Sequence, residues 1–133
     1  FLIVYADTWM NIDLRKMQKV QKIHKGLGTI GLYRPNDLRD QGSIEIKGRK
    51  IVSIEEKSKN PIGKHAFAGI MIGSQTMFRF YNDDMTDLAR DWLPVIKDGL
   101  NPFFIDDMVY DIGTPERYKL ANEKIRNLGL QAL

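Results

Sequence analysis

The sequence predicts an α/β fold: a mixed, mainly parallel sheet flanked by helices. Three observations predict it. An apolar run, Phe1–Ala6, ends on a carboxylate at Asp7; a helical period follows directly; and a second apolar strand, Thr29–Arg34, comes before Pro35. Strand, helix, strand in that order is the βαβ unit from which parallel sheets are built.

Each element has its own signal. Phe1–Ala6 is continuous in apolar character, the pattern of a strand buried on both faces. Asp7 then stands at a strand's carboxyl end, where open α/β sheets bind ligands. Asn11 reads as the N-cap of the next helix, with Asp13 near its positive end. Leu14, Met17, Val20 and His24 share one face at helical spacing, and Arg15, Lys19 and Lys22 share the other. The basic face is expected to be solvated and His24 to pack; Gly26 stops the helix. Ser43–Ile46 and Ile51–Ile54 flank Lys47–Lys50, a hairpin with glycine in its turn. Ala66–Ile72 is a further apolar strand, and Ser74 is placed to cap a short helix through Phe80. Thr86–Lys97 has helical pattern, with Pro94 expected to bend or interrupt it. Phe103–Ile105 is a late strand. Thr114 and Pro115 form a strong helix start, and that helix runs to Leu128, where Gly129 ends it.

Composition narrows the chemistry. The 133 residues fit a single domain, and 43% hydrophobic content suffices for a packed core. Twenty basic against 17 acidic residues leave a net charge of +3, a mixed surface without the basic stripe of a nucleic-acid binder. A mild positive balance still suits an anionic small molecule. With no cysteine, disulfide frameworks and thiolate metal sites are excluded, in keeping with a cytoplasmic setting. No apolar run approaches the roughly 20 residues that span a bilayer. The chain opens on Phe1 in mid-strand, which reads as the interior of a domain.

Taken singly, the polar residues of interest have plain structural readings. Asp7 would be a loop or capping aspartate, Lys57 a surface lysine, Glu55 and Glu56 a solvated strand end, and Asp111 a residue before a turn. His65 would be a solvated loop histidine. Three segments in order change this. Ile54-Glu55-Glu56-Lys57-Ser58-Lys59-Asn60-Pro61 resembles the E-E-K-P-x-x-P segment of the sugar-1-phosphate nucleotidyltransferases. Tyr110-Asp111-Ile112-Gly113-Thr114-Pro115-Glu116-Arg117-Tyr118 resembles their W-x-D-I-G-T-P-E-x-Y segment. Val4-Tyr5-Ala6-Asp7-Thr8, followed by Asn11-Ile12-Asp13-Leu14, resembles their strand-G-D-x-x-x-D-I-D-L stretch.

The resemblance covers Phe1 to about Asn122 and implies the C-terminal part of a single Rossmann-like nucleotidyltransferase domain. It implies an enzyme that transfers a nucleotidyl group from a nucleoside triphosphate to a sugar 1-phosphate, with Mg²⁺ as cofactor and without nucleic-acid or membrane partners. Asp7, Lys57 and Asp111 would be catalytic, with Asp7 and Asp111 holding the metal. Lys57 would meet the sugar's phosphate and Glu56 its hydroxyls. Gly42 corresponds to the family's glycine at the sugar, and Ala68-Gly69 to the A-G of the pocket-lining strand. Some positions depart from the pattern: Ala6 replaces glycine, Ser58 proline, Phe67 a frequent asparagine and Val109 tryptophan. The family's opening glycine-rich phosphate loop has no match here. That predicts an inactive fragment with open sheet edges, prone to homo-oligomerisation or domain swapping. A non-catalytic sugar-phosphate-binding or regulatory subunit is the alternative reading.

Overall fold

A computed structural model describes residues 1–38, 42–56 and 60–129. Its main sheet has the order β1-β6-β3-β7: β1 (Leu2–Val4), β6 (Ala66–Gly73), β3 (Gly28–Tyr33) and β7 (Leu100–Phe104). The sheet is mixed as expected. β6 is antiparallel to both β1 and β3, whereas β3 and β7 are parallel. So β1, β3 and β7 run one way and β6 alone runs against them.

The sheet lies between two layers. On one face α1 (Leu14–His24) presses Met17, fully buried, against Ala68, Ile70 and Ile105. On the other, the hairpin of β4 (Ser43–Lys47) and β5 (Lys50–Glu55) joins the short helix α2 (Leu93–Ile96) over Ile30, Leu32 and Met71. Ile30 and Met71 face each other across the β3–β6 ladder, which is why both serve the same cluster. Thr29, buried in β3, donates its hydroxyl to Gln21 Oε1 at 2.6 Å and ties α1 to the sheet.

Helix α1 is capped by Asp13, not Asn11. The Asp13 carboxylate accepts from the N–H groups of Arg15 and Lys16 at 2.9 and 3.3 Å, while the Asn11 amide is engaged by Asp107 instead. Met17 is the helix's one buried residue, so α1 touches the sheet at its middle and its end stands clear. His24 is accordingly exposed, beside the Arg49 guanidinium. Arg15, Lys19 and Lys22 are solvated as expected.

β1 is not buried on both faces. Ile3 packs on the core, but Leu2 and Val4, which alternate with it onto the opposite face, are 48% and 53% exposed. Pro94 does interrupt its helix: a π-helical turn, Leu88–Trp92, precedes α2, which has Pro94 in its first turn. Two strands lacked a sequence signal. β2 (Thr8–Met10) and β8 (Val109–Asp111) form a separate antiparallel pair beside the main sheet. The last helix, α3 (Pro115–Asn127), begins as expected, with Thr114 Oγ1 accepting from the Arg117 N–H at 3.2 Å.

Candidate active site

The β2–β8 pair unites residues remote in sequence. Thr8 lies opposite Asp111 in its register, and the Ile112 N–H donates to the Asp7 carbonyl at 2.7 Å. Gly113 follows on the same side. A Cβ there would sit 3.2 Å from both Asp111 Oδ1 and Asp7 Oδ2, so the two carboxylates border one small space. Asp111 is already engaged: Oδ1 accepts from the Gly113 N–H at 2.9 Å and Oδ2 from Arg117 Nη1 at 2.6 Å. Among the described residues no donor meets the Asp7 carboxylate. Two carboxylates without histidine or thiol are a donor set that fits a hard cation such as Mg²⁺, which takes one or two protein carboxylates and completes its shell with water or phosphate. Among the described residues no cluster of three ligand-type side chains forms.

Asp7 and Asp111 line a cavity of about 230 Å³ together with Tyr5, Gly42, Glu56, Ala68, Gly69 and Asp87. The sequence singled out Gly42, Glu56, Ala68 and Gly69, and the fold brings them together; Lys57 lies outside the described residues. The two glycines differ in how firmly contact requires them. A methyl on Gly42 would come within 2.6 Å of Glu56 Oε2 and would push that carboxylate from its present place in the wall. Gly69 has φ +71° where β6 bulges against β3, and a Cβ there would meet the Tyr5 Cβ at 2.9 Å. The bulge lets the Gly69 carbonyl accept the Tyr5 N–H at 2.7 Å and turns Ala68-Gly69 toward the cavity. Phe67, in place of an amide, packs edge-on to Tyr5 with ring centroids 5.5 Å apart.

Tyr5 and Asp87 had no sequence signal. Burial pushes the Tyr5 phenol above its ordinary value, and the carboxylates of Asp87, Glu56 and Asp7 push the same way. The phenol therefore stays a neutral hydrogen-bond donor within an acidic wall. Asp87 is held by its own segment, where its Oδ1 accepts from the Arg90 N–H at 2.8 Å. Neighbouring Asp91 is held well below the usual carboxylate range by the Arg90 side chain first, then by the N–H groups of Thr86 and Asp87.

A second, wider hollow of about 980 Å³ lies past the carboxyl ends of β3 and β7. It shares Tyr33 and Asp111 with the first and adds Arg34, His65, Phe104 and Lys124. His65 is buried here, contrary to its reading as a solvated loop residue, because its carbonyl accepts the Ile44 N–H at 2.7 Å and draws it under the hairpin. Its ring accepts from Arg34 Nε at 3.2 Å and leans on Phe104.

Comparison with known proteins bears on the fold. No protein-family model matches the chain. A protein of Sulfolobus acidocaldarius provisionally described as a mannose-1-phosphate guanyltransferase is 24% identical over 130 residues, which is 96% of this chain and 36% of that one. A crystal structure provisionally described as a glucose-1-phosphate thymidylyltransferase of Bacillus anthracis, with bound sucrose, superposes with a TM-score of 0.77 at 23% identity, covering 95% of this chain and 54% of that one. The HddC protein of Yersinia pseudotuberculosis superposes with a TM-score of 0.71 at 25% identity, covering 94% and 55%; one of its structures holds GMP-PN. The chain thus spans about a third of the curated relative and about half of each solved structure.

Proposed function

We propose, for a chain that carries the C-terminal part of a sugar-1-phosphate nucleotidyltransferase fold, that it is the sugar-phosphate- and metal-binding portion of an enzyme making a nucleotide sugar. In the reaction, a phosphate oxygen of the sugar 1-phosphate bonds to the α-phosphorus of a nucleoside triphosphate. The bond from that phosphorus to the bridging oxygen breaks, and pyrophosphate leaves with the electron pair. The observation that carries this reading is the convergence of Asp7 and Asp111 in the wall of the Glu56–Gly42–Gly69 cavity.

Two polyanions must approach each other, so positioning and charge neutralisation dominate such chemistry. Asp7 and Asp111 would hold Mg²⁺, which when bound supplies positive charge to the phosphate oxygens. The Glu56 carboxylate accepts hydrogen bonds from sugar hydroxyls, and the neutral Tyr5 phenol can donate one. The cavity of about 230 Å³ lies below the roughly 300–1,000 Å³ usual for drug-sized ligands and suits a single small ring. Lys57, next in sequence to Glu56, supplies a point charge for the sugar's phosphate. Bulge and glycines hold these groups before substrate arrives, which is what catalysis by positioning requires. Nucleoside triphosphate and sugar 1-phosphate are the partners, and a cytoplasmic setting fits them; among the described residues no helix is long and apolar enough to cross a membrane.

The test is pyrophosphate release by the full-length protein, dependent on both a sugar 1-phosphate and a nucleoside triphosphate. Asp111→Asn should lower the rate at least ten-fold while leaving the fold intact, and Glu56→Ala should raise the KM for the sugar 1-phosphate more than that for the nucleotide. Sugar-phosphate binding without any pyrophosphate release would favour the non-catalytic binding subunit. A rate indifferent to Asp111→Asn would refute the metal assignment.

A further inference from the structure

Arg117 stands in the first turn of α3, three residues past the capping Thr114. Its Nη1 donates to Asp111 Oδ2 at 2.6 Å, while the Gly113 N–H takes Oδ1 at 2.9 Å, so both oxygens of this carboxylate are occupied. Across Gly113 the Asp7 carboxylate has no such donor among the described residues. The two members of the pair are therefore unequally prepared for a cation. One is open and the other already carries a cationic group.

We propose that Arg117 is a positioning residue that occupies Asp111 in the place of the divalent cation and yields when the cation binds, so that its charge sets the cation affinity. The inference rests on Asp7 and Asp111 being the metal-directed carboxylates. Mg²⁺ or Mn²⁺ needs a carboxylate oxygen at close to 2.1 Å. A guanidinium hydrogen-bonded to the same group draws on the same lone pairs and repels an incoming cation. Meanwhile it keeps Asp111 oriented and partly neutralised while two carboxylates face one gap. The hold is displaceable, since the side chains of Arg117 and Asp111 are 52% and 42% exposed, and solvent weakens an ion pair so exposed. Arg117 thus tunes the site and does not block it.

The experiment titrates the protein with Mn²⁺ and counts the free ion by electron paramagnetic resonance, with the Mn²⁺-dependent rise in Tm as a second readout. Arg117→Ala preserves the helix cap, because Thr114 accepts from the backbone N–H of residue 117. It should bind Mn²⁺ about two- to five-fold more tightly, the range expected for removing an exposed pair. Arg117→Gln, close in length but uncharged, should do the same, and Arg117→Lys should stay near the unaltered protein. Asp111→Asn should weaken binding with or without Arg117. If Asp111→Asn weakens binding but neither Arg117→Ala nor Arg117→Gln tightens it, Arg117 has no such role and the metal site stands. If Asp111→Asn leaves Mn²⁺ binding unchanged, the metal reading itself falls and this inference with it.

Discussion

The two cavities of this molecule differ in a way that size does not convey. The wide hollow, about 980 Å³, occupies the position past the parallel strand ends where α/β sheets generally take ligands. The small one, about 230 Å³, gathers the motif residues. Its walls are demanding: Gly69 combines φ +71° with a 2.9 Å approach to the Tyr5 Cβ, and two carboxylates border the space at Gly113. The wide hollow mixes Arg34, Lys124 and His65 with Asp106 and Asp107, and much of that charge is satisfied locally. The small cavity is set apart by a glycine held at positive φ and by two carboxylates brought to one space; volume alone is a poor guide.

The largest expected contrast is in stability. Gly69→Ala places a methyl against Tyr5 at a left-handed φ and should cost about 2 kcal/mol or more. Phe104→Ala, in the wall of the wide hollow, removes a ring that is already 43% exposed and should cost about 1 kcal/mol. Urea denaturation of both variants measures the difference; equal losses would mean that the small cavity's backbone is no more constrained than the other.

Next comes cation binding. Asp7→Asn should reduce Mn²⁺ affinity about ten-fold, the loss of one charged ligand worth roughly 1.4 kcal/mol. Asp106→Asn, a carboxylate of the wide hollow, should change it less than about two-fold. Calorimetric titration of the two variants side by side decides the matter, and a greater loss from Asp106→Asn would reverse the assignment of the cavities.

The smallest effect belongs to His65. Burial lowers its pKa first, with Arg34 and Lys64 acting the same way. In the unfolded chain it titrates near 6.5, so below about pH 6.5 the unfolded state binds more protons and the fold loses stability as pH falls toward the depressed folded value. Replacing His65 with Gln should flatten the decline in Tm between about pH 7 and 5, even if it lowers Tm at neutral pH. An unchanged slope would place the acid sensitivity elsewhere.

Local chemistry made several parts of this protein legible from sequence. The Thr114-Pro115 helix start, the glycine-centred hairpin and the apolar strands at Thr29 and Ala66 depend on neighbours in the chain, and they stand where the sequence puts them. The motif residues Asp7, Gly42, Glu56, Gly69 and Asp111 were also readable, because their types and order resemble a known pattern. Other features depend on contacts between distant segments. Asp13, not Asn11, is the cap because the helix begins at Leu14, while the Asn11 amide donates to Asp107. His24 and His65 exchanged their expected environments because α1 meets the sheet through Met17 and Gln21 and not at its last residue, and the hairpin draws residue 65 inward. β2 and β8 are three residues each, too short to show a period, and exist because they pair with each other. Tyr5, Asp87 and Arg117 joined the site the same way. A side chain's residue type is written in the sequence, but its partner across the fold is chosen by sheet register and bulge geometry, which no local pattern encodes.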